Sequence, residues 1–131
     1  MSQENVEIVR RAIGALNQRD VSLYLTLCAP DVELISPVAP LEGANKGAEG
    51  IQQFFSGIEE ATSNFRLDAE RVQAVGDDRV LALGQVSMMS QGGIPFAQPF
   101  ATVYDLVEGK LRRVRVFLDW DEALKAVGLA E

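Results

Sequence analysis

The sequence predicts an α+β fold, in which a curved antiparallel sheet wraps around three helices and a short helix follows at the C-terminus. Apolar residues recur at helical spacing up to Ala61. From Phe65 to Asp119 they form strand-like runs, which are separated by short turns that join antiparallel strands. We expect residues 1–131 to form one domain, because this length suits one core and is too short for two.

Three helices are predicted before the long strands. The first runs from about Gln3 to Arg19, and Asp20 is a typical N-cap for a short second helix, Val21–Leu27. The third runs from about Ala48 to Ala61. The apolar positions that predict the first and third helices are Val6, Val9, Ile13 and Leu16, then Ile51, Phe54, Phe55 and Ile58.

A short strand, Val32–Ser36, and a loop, Pro37–Gly47, are predicted between the second and third helices. Four longer strands follow the third helix, and glycine-containing or aspartate-containing turns separate them. These strands are Phe65–Val75, Arg79–Ser90, Ile94–Val107 and Leu111–Asp119. Pro95 and Pro99 indicate that the strand containing them has an irregular or edge-like start before Phe100. The closing helix extends from Glu122 to a stop at Gly128.

The last strand has two chemically different faces. Val114, Val116 and Leu118 alternate with a second set, which consists of Arg113, Arg115, Phe117 and Asp119. Charged side chains do not pack against a dry apolar layer without partners, so the second face must meet water, a second subunit or a polar-bottomed cavity. We expect this face to turn toward a hollow interior, with Asp119 directed inward.

Composition excludes several classes of function. The net charge of −7 makes nucleic acid a poor partner, and no apolar stretch is long enough to cross a membrane. The charged N-terminus lacks the apolar core of a signal peptide, and Cys28 is the only cysteine, so we expect a cytoplasmic protein without an internal disulfide. The chain has no histidine, which removes the commonest general base and transition-metal ligand. No metal and no cofactor are predicted.

Three segments carry a resemblance to a known family: ENVEIVRRAIGALNQRD near the N-terminus, KGAEGIQQFF in the middle, and the strand-to-helix pattern VFLD…EAL…GL at the end. Together they resemble the SnoaL-like branch of the nuclear transport factor 2-like superfamily. The resemblance implies a cystatin-like cone of curved sheet and helices, usually dimeric, with a hydrophobic pocket. Members include polyketide cyclases, ketosteroid isomerases, epoxide hydrolases and proteins of no known activity.

The resemblance offers one candidate catalytic residue. The cyclases place an aspartate at the end of the last strand, inside the pocket, and Asp119 matches that position. Its alternative role is to cap the final helix. The histidines of the cyclases have no counterpart here, and Val80–Val86 lacks the Arg-x-Asp pair of the limonene epoxide hydrolases. Tyr24 resembles the oxyanion-hole tyrosine of the ketosteroid isomerases by position, but no second donor accompanies it.

The candidate ligand-binding residues each have a structural alternative. Tyr24 offers a hydroxyl to a ligand carbonyl or is a core tyrosine. Arg115 clamps a ligand carboxylate or forms a salt bridge with Glu33, Asp105 or a partner subunit. The aromatic candidates, which line a pocket or fill a core, are Phe54, Phe100 and Phe117. Met88 and Met89 indicate a malleable contact surface at a pocket mouth or a dimer interface.

The sequence therefore favours a protein that binds a small apolar molecule in the pocket of the cone and forms a homodimer through the outer face of its sheet. One alternative is a cofactor-free polyketide cyclase or isomerase that uses Asp119 as its acid-base group. Another is a dimeric accessory protein that binds no ligand.

Overall fold

The computed structural model describes residues 2–35, 45–90, 92–117 and 119–129, which form four helices and one curved mixed sheet of six strands. The helices are α1 (Ser2–Asn17), α2 (Val21–Thr26), α3 (Gly47–Ala61) and α4 (Trp120–Ala126). The strands are β1 (Cys28–Ile35), β2 (Asn45–Lys46), β3 (Thr62–Val75), β4 (Arg79–Ser90), β5 (Pro95–Val107) and β6 (Lys110–Phe117). The predicted α+β fold is confirmed.

The spatial order of the strands is β2-β1-β6-β5-β4-β3. Short turns join β3, β4, β5 and β6 into an antiparallel meander, as the turn-separated runs predict. One pair departs from the antiparallel pattern, since β1 lies parallel to β6. This arrangement is sterically simple because α3 and the strands β3, β4 and β5 separate β1 from β6 in the chain, so no tight turn has to join them.

Local signals fix most element boundaries. The carboxylate of Asp20 accepts a hydrogen bond from the backbone N–H of Leu23 at 3.0 Å, which confirms the predicted N-cap of α2. β1 begins at Cys28, four positions before the predicted strand, because it pairs there with Leu111 of β6. Most of the predicted loop Pro37–Gly47 lies outside the described residues, as does Leu118.

Two apolar clusters lie on opposite faces of the sheet. The larger one fills the space between α1, α2, α3 and the face that we call the inner face; Val80, Ala82, Val86, Phe100, Tyr104 and Val114 are among its strand residues. The smaller cluster lies on the outer face, where α4 covers part of β4 and β5; its buried members are Leu81, Leu83, Ala101, Val103, Ala123 and Val127.

The edge formed by β3 is tied to the end of α1. The side-chain amide of Asn17 donates to the carbonyl oxygen of Leu67 at 2.9 Å and accepts from the Leu67 N–H at 2.7 Å. Arg19 donates to the carbonyl oxygen of Phe65 at 2.8 Å, and its guanidinium lies 5.2 Å from the centre of the Phe65 ring. Asn17 and Arg19 thus form hydrogen bonds with backbone groups of β3, an edge strand. Without these bonds, the same groups would be free to pair with another strand.

Among the described residues, the first half of β5 is a second free edge, because its pairing with β6 reaches no further than Ala101. The Ser90 N–H donates to the Ile94 carbonyl, so Ser90 and Ile94 face each other as a hydrogen-bonded pair. Along the hairpin such pairs alternate with pairs whose backbone groups point away from the partner strand. Pro95, Ala97 and Pro99 therefore direct their backbone groups to the unpaired side. Two of these three residues have no N–H, so the predicted edge-like start of this strand is confirmed.

Candidate functional site

The inner-facing side chains of β5 pass from a closed core to an open end. Tyr104, Thr102 and Phe100 are buried, and Phe100 is only 3 % exposed. Gln98 is half-buried, and Phe96 is 44 % exposed. The neighbouring strand repeats this trend, since its inner-facing residue Val86 is buried and Met88 is half-buried. Within the described residues, the helices thus cover one end of the inner face and leave the other end accessible.

Tyr24 and Tyr104 place two phenols on the closed side of the same face. Burial raises the pKa of Tyr24 well above its ordinary value, and the nearby Tyr104 and Cys28 raise it further. Burial also raises the pKa of Tyr104, against a smaller opposing effect of its hydrogen bond with Thr102. Both hydroxyls therefore stay protonated at neutral pH and are hydrogen-bond donors.

Phe54 and Phe55 bring α3 onto this core. The Phe55 ring meets the Tyr24 ring edge to face at 5.3 Å, and the Phe54 ring meets the Phe55 ring at 6.3 Å. Phe54 itself is half-buried and packs against the inner cluster. Three of the predicted ligand-binding residues, Tyr24, Phe54 and Phe100, therefore belong to one inner-face cluster.

Arg115 and Phe117 lie on the opposite face, so the expectation that this side of the last strand turns inward is wrong. Phe117 pairs with Ala101, and Arg115 pairs with Val103. Ala101 and Val103 pack beneath α4 on the outer face. The physical reason is that Arg115 finds Asp105 there, with 3.6 Å between the guanidinium nitrogen and the carboxylate oxygen, whereas the inner-facing residues of β4 and β5 include no carboxylate.

Asp119 is exposed at the start of α4. Its carboxylate accepts a hydrogen bond from the N–H of Asp121 at 2.8 Å, so it caps the helix that packs on the outer face. This position matches the capping alternative rather than an inward-facing carboxylate. The catalytic role of Asp119 stays a prediction.

Four charged side chains form a patch on the outer face of β1, β5 and β6, which we call the charged quartet: Glu33, Asp105, Arg113 and Arg115. Arg113 lies 3.8 Å from Glu33, so neither ion pair of the quartet is as close as a hydrogen bond. The Nε of Arg115 and one carboxylate oxygen of Asp105 are buried without a hydrogen-bond partner. The quartet thus retains unsatisfied hydrogen-bonding capacity.

An open groove of about 410 Å³ lies at the free end of the β4–β5 hairpin. Its lining residues are Asn64, Ser87, Met88, Met89, Pro95, Phe96 and Ala97. Strand alternation places the side chains of Ser87, Met89, Pro95 and Ala97 on the outer face, beyond the part that α4 covers. Met88 and Met89 both line this groove, and their role as a contact surface at a pocket mouth or a dimer interface stays a prediction.

Sequence reasoning missed the polar side chains of the inner face. Gln98, Thr102 and Tyr104 share this face with Phe100 at period two, so the signal was present in the strand pattern. The period alone does not identify this set as inward-facing, because both faces of β5 carry buried residues.

Among the residues that the structure describes, no three cysteine, aspartate or glutamate side chains form a group suited to hold a metal ion. No helix in this part of the chain is long and apolar enough to cross a membrane.

The curved sheet, the helices on its inner face and the apolar inner cluster define the class of cone-shaped domains that the resemblance implied. The chain belongs to the SnoaL-like domain family, whose model matches residues 9–114. No protein of curated function matches the chain.

Solved structures share the fold. A protein of unknown function from Burkholderia pseudomallei, described as NTF2-like, is 22 % identical with a TM-score of 0.81, and the alignment covers 97 % of this chain and 98 % of that one. TerC, co-crystallised with polyporic acid, is 23 % identical with a TM-score of 0.80 over 95 % and 98 %. Bal32a, from a soil-derived mobile gene cassette, is 24 % identical with a TM-score of 0.80 over 92 % and 96 %.

Proposed function

We propose that the protein binds a small, uncharged and largely apolar molecule at the open end of the inner face. The observation that carries this proposal is the change along β5 from buried Phe100, through half-buried Gln98, to exposed Phe96. An apolar face that continues from a packed core into an accessible end favours an apolar occupant, because such a molecule extends the burial of the core.

The side chains on this face define the chemistry of the ligand. No inner-facing residue of β4 or β5 is charged, so an ionised ligand would lose its hydration without gaining an ionic partner from these strands. Gln98 supplies an amide that both donates and accepts, and Tyr24 and Tyr104 supply protonated hydroxyls deeper in the core. These groups suit a ring system that carries a carbonyl or hydroxyl oxygen. The co-crystallisation of TerC with polyporic acid supports an organic ligand for this fold.

Two neighbouring substitutions test the proposal, because residues 97 and 98 lie on opposite faces of the same strand. Gln98→Trp fills the open end of the inner face, whereas Ala97→Trp places the same bulk on the outer face. We expect native mass spectrometry of freshly purified protein to detect a retained organic molecule in the wild type and in Ala97→Trp, and to detect none in Gln98→Trp. Equal retention by both variants, or no retained molecule in the wild type, would contradict the proposal.

We also propose that the chain forms a homodimer through the outer face. The charged quartet supports this assignment, because it carries two positive and two negative side chains and is therefore complementary to a second copy of itself. Ile35 pairs with Arg115 beside the quartet and is 38 % exposed, which adds apolar area to the patch.

A further inference from the structure

We infer that the outer-face groove at the end of the β4–β5 hairpin is a second ligand site, separate from the inner face, for a small neutral molecule that carries a hydrogen-bond acceptor. The groove volume of about 410 Å³ falls within the usual range for small-molecule sites. Met89, Pro95 and Ala97 supply the apolar side chains that the groove has on the outer face. Methionine side chains adapt to flat and irregular ligands and make favourable contacts with aromatic rings.

The charge distribution decides the class of ligand. The chain carries a net charge of −7, yet no charged residue occurs anywhere between Val80 and Tyr104. The described residues that line the groove carry no charge. Arg66 of β3 lies opposite Ser87, but its guanidinium is paired with the carboxylate of Asp68 at 2.8 Å. A neutral ligand is the class that this lining accepts at the lowest cost in hydration.

Asn64 gives the groove its directional group. Its side-chain amide donates to the sulfur of Met89 at 3.1 Å. A thioether is a weak acceptor, so this donor exchanges readily to a ligand carbonyl oxygen, which is a stronger one. The backbone of Asn64 has a φ of 56° at a register shift between β3 and β4, and this conformation holds the residue at the rim of the groove.

The test uses wild-type protein and variants labelled with ¹³C at the methionine methyl groups, of which the chain has three. The probes are 2-acetylnaphthalene, a neutral ketone, and 2-ethylnaphthalene, which has the same ring system and no acceptor. We expect 2-acetylnaphthalene to shift the Met89 methyl signal saturably in the wild type and in Gln98→Trp, and to have no such effect in Ala97→Trp. A shift that fails to saturate, or one that persists in Ala97→Trp, overturns the inference.

Asn64→Gly tests the donor, because glycine accepts the same backbone conformation and has no side-chain amide. We expect this variant to bind 2-acetylnaphthalene about 2–10-fold more weakly and to bind 2-ethylnaphthalene as the wild type does, since one hydrogen bond is lost. An equal change for both probes overturns the assignment of Asn64. Loss of the Met89 response in Gln98→Trp but not in Ala97→Trp overturns the outer site and leaves the proposed inner site standing, so the two proposals fail separately.

Discussion

At the scale of single residues, Asn17 has the clearest effect on stability. Its side chain makes both hydrogen bonds to Leu67, so Asn17→Ala leaves a backbone N–H and a carbonyl of β3 without their partner. We expect the free energy of unfolding to fall by about 2–3 kcal/mol in urea denaturation. Gln18→Ala changes the exposed neighbour and is the control, with an expected effect within about 0.5 kcal/mol. Similar losses in the two variants would contradict this role for Asn17.

The buried phenols and thiol predict a loss of stability at alkaline pH. Burial raises the pKa of Tyr24 and Tyr104 above 10.0 and that of Cys28 from 9.0 to about 12, the last against a smaller lowering by Lys110. The unfolded chain therefore releases these protons at a lower pH than the folded chain does, so stability is fully present below about pH 9 and falls above it.

Each group lowers the free energy of unfolding by at most about 1.4 kcal/mol for each pH unit while only the unfolded chain ionises. Urea denaturation between pH 7 and 11 measures the slope. Tyr24→Phe removes one titrating group and should make the decline above pH 10 shallower. An unchanged slope in this variant would show that Tyr24 does not contribute.

The residues of the candidate site show where sequence reasoning stops. Helical spacing and strand alternation are local properties, so they correctly grouped Phe54 with the core of α3 and separated Arg115 from Val114. They do not tell which face of a strand turns inward. That choice depends on Asp105, Val103 and α4, which are brought beside Arg115 only by the folded sheet.

At the scale of elements, α4 depends on its cap. Asp119→Ala removes the acceptor of the Asp121 N–H, and we expect it to cost about 1 kcal/mol in urea denaturation, whereas Asp119→Asn retains a good N-cap and should cost little. If Asp119 is instead catalytic, Asp119→Asn abolishes turnover of an identified substrate while stability and ligand affinity are retained. The two substitutions therefore separate the capping role from the catalytic one.

The contact between β3 and β4 predicts a contrast between two glycines. A Cβ atom at Gly84 would collide with the backbone of Asp68 and Ala69, where the pairing of these strands shifts register. The carbonyl oxygen of Gly84 also accepts a hydrogen bond from the indole N–H of Trp120 at 3.2 Å. We expect Gly84→Ala to destabilise the protein by at least about 2 kcal/mol, because backbone atoms cannot move aside cheaply.

Gly57 is the matched control, since it lies exposed inside α3 and a Cβ atom there meets no other atom within 4 Å. Gly57→Ala should stabilise the protein by about 0.5–1 kcal/mol, because alanine is the better helix former. Thermal and urea denaturation of both variants give the comparison. A neutral result for Gly84→Ala would show that the strands separate easily at this point.

At the scale of the whole molecule, the free strand edges argue against one mode of association, in which two copies of the chain join their sheets edge to edge. Asn17 and Arg19 occupy backbone groups of β3, and Pro95 and Pro99 remove donors from the free part of β5. Addition of a strand is disfavoured at both places. The sequence predicted the fold because turns and periodicities recur along most of the chain. It did not predict which strand faces turn inward or which strand edges stay unpaired, because these depend on contacts between residues distant in sequence.

Association through the outer face is therefore the expected mode, and the charged quartet makes it testable. Light scattering should give the wild type twice the monomer mass of 14.3 kDa. Arg113→Glu places a like charge beside Glu33 and faces the partner with an acidic patch, so it should shift the protein toward the monomer. Arg10→Glu changes the net charge equally on the exposed side of α1 and should remain dimeric. A monomeric wild type, or equal dissociation of both variants, would assign the quartet a purely intramolecular role.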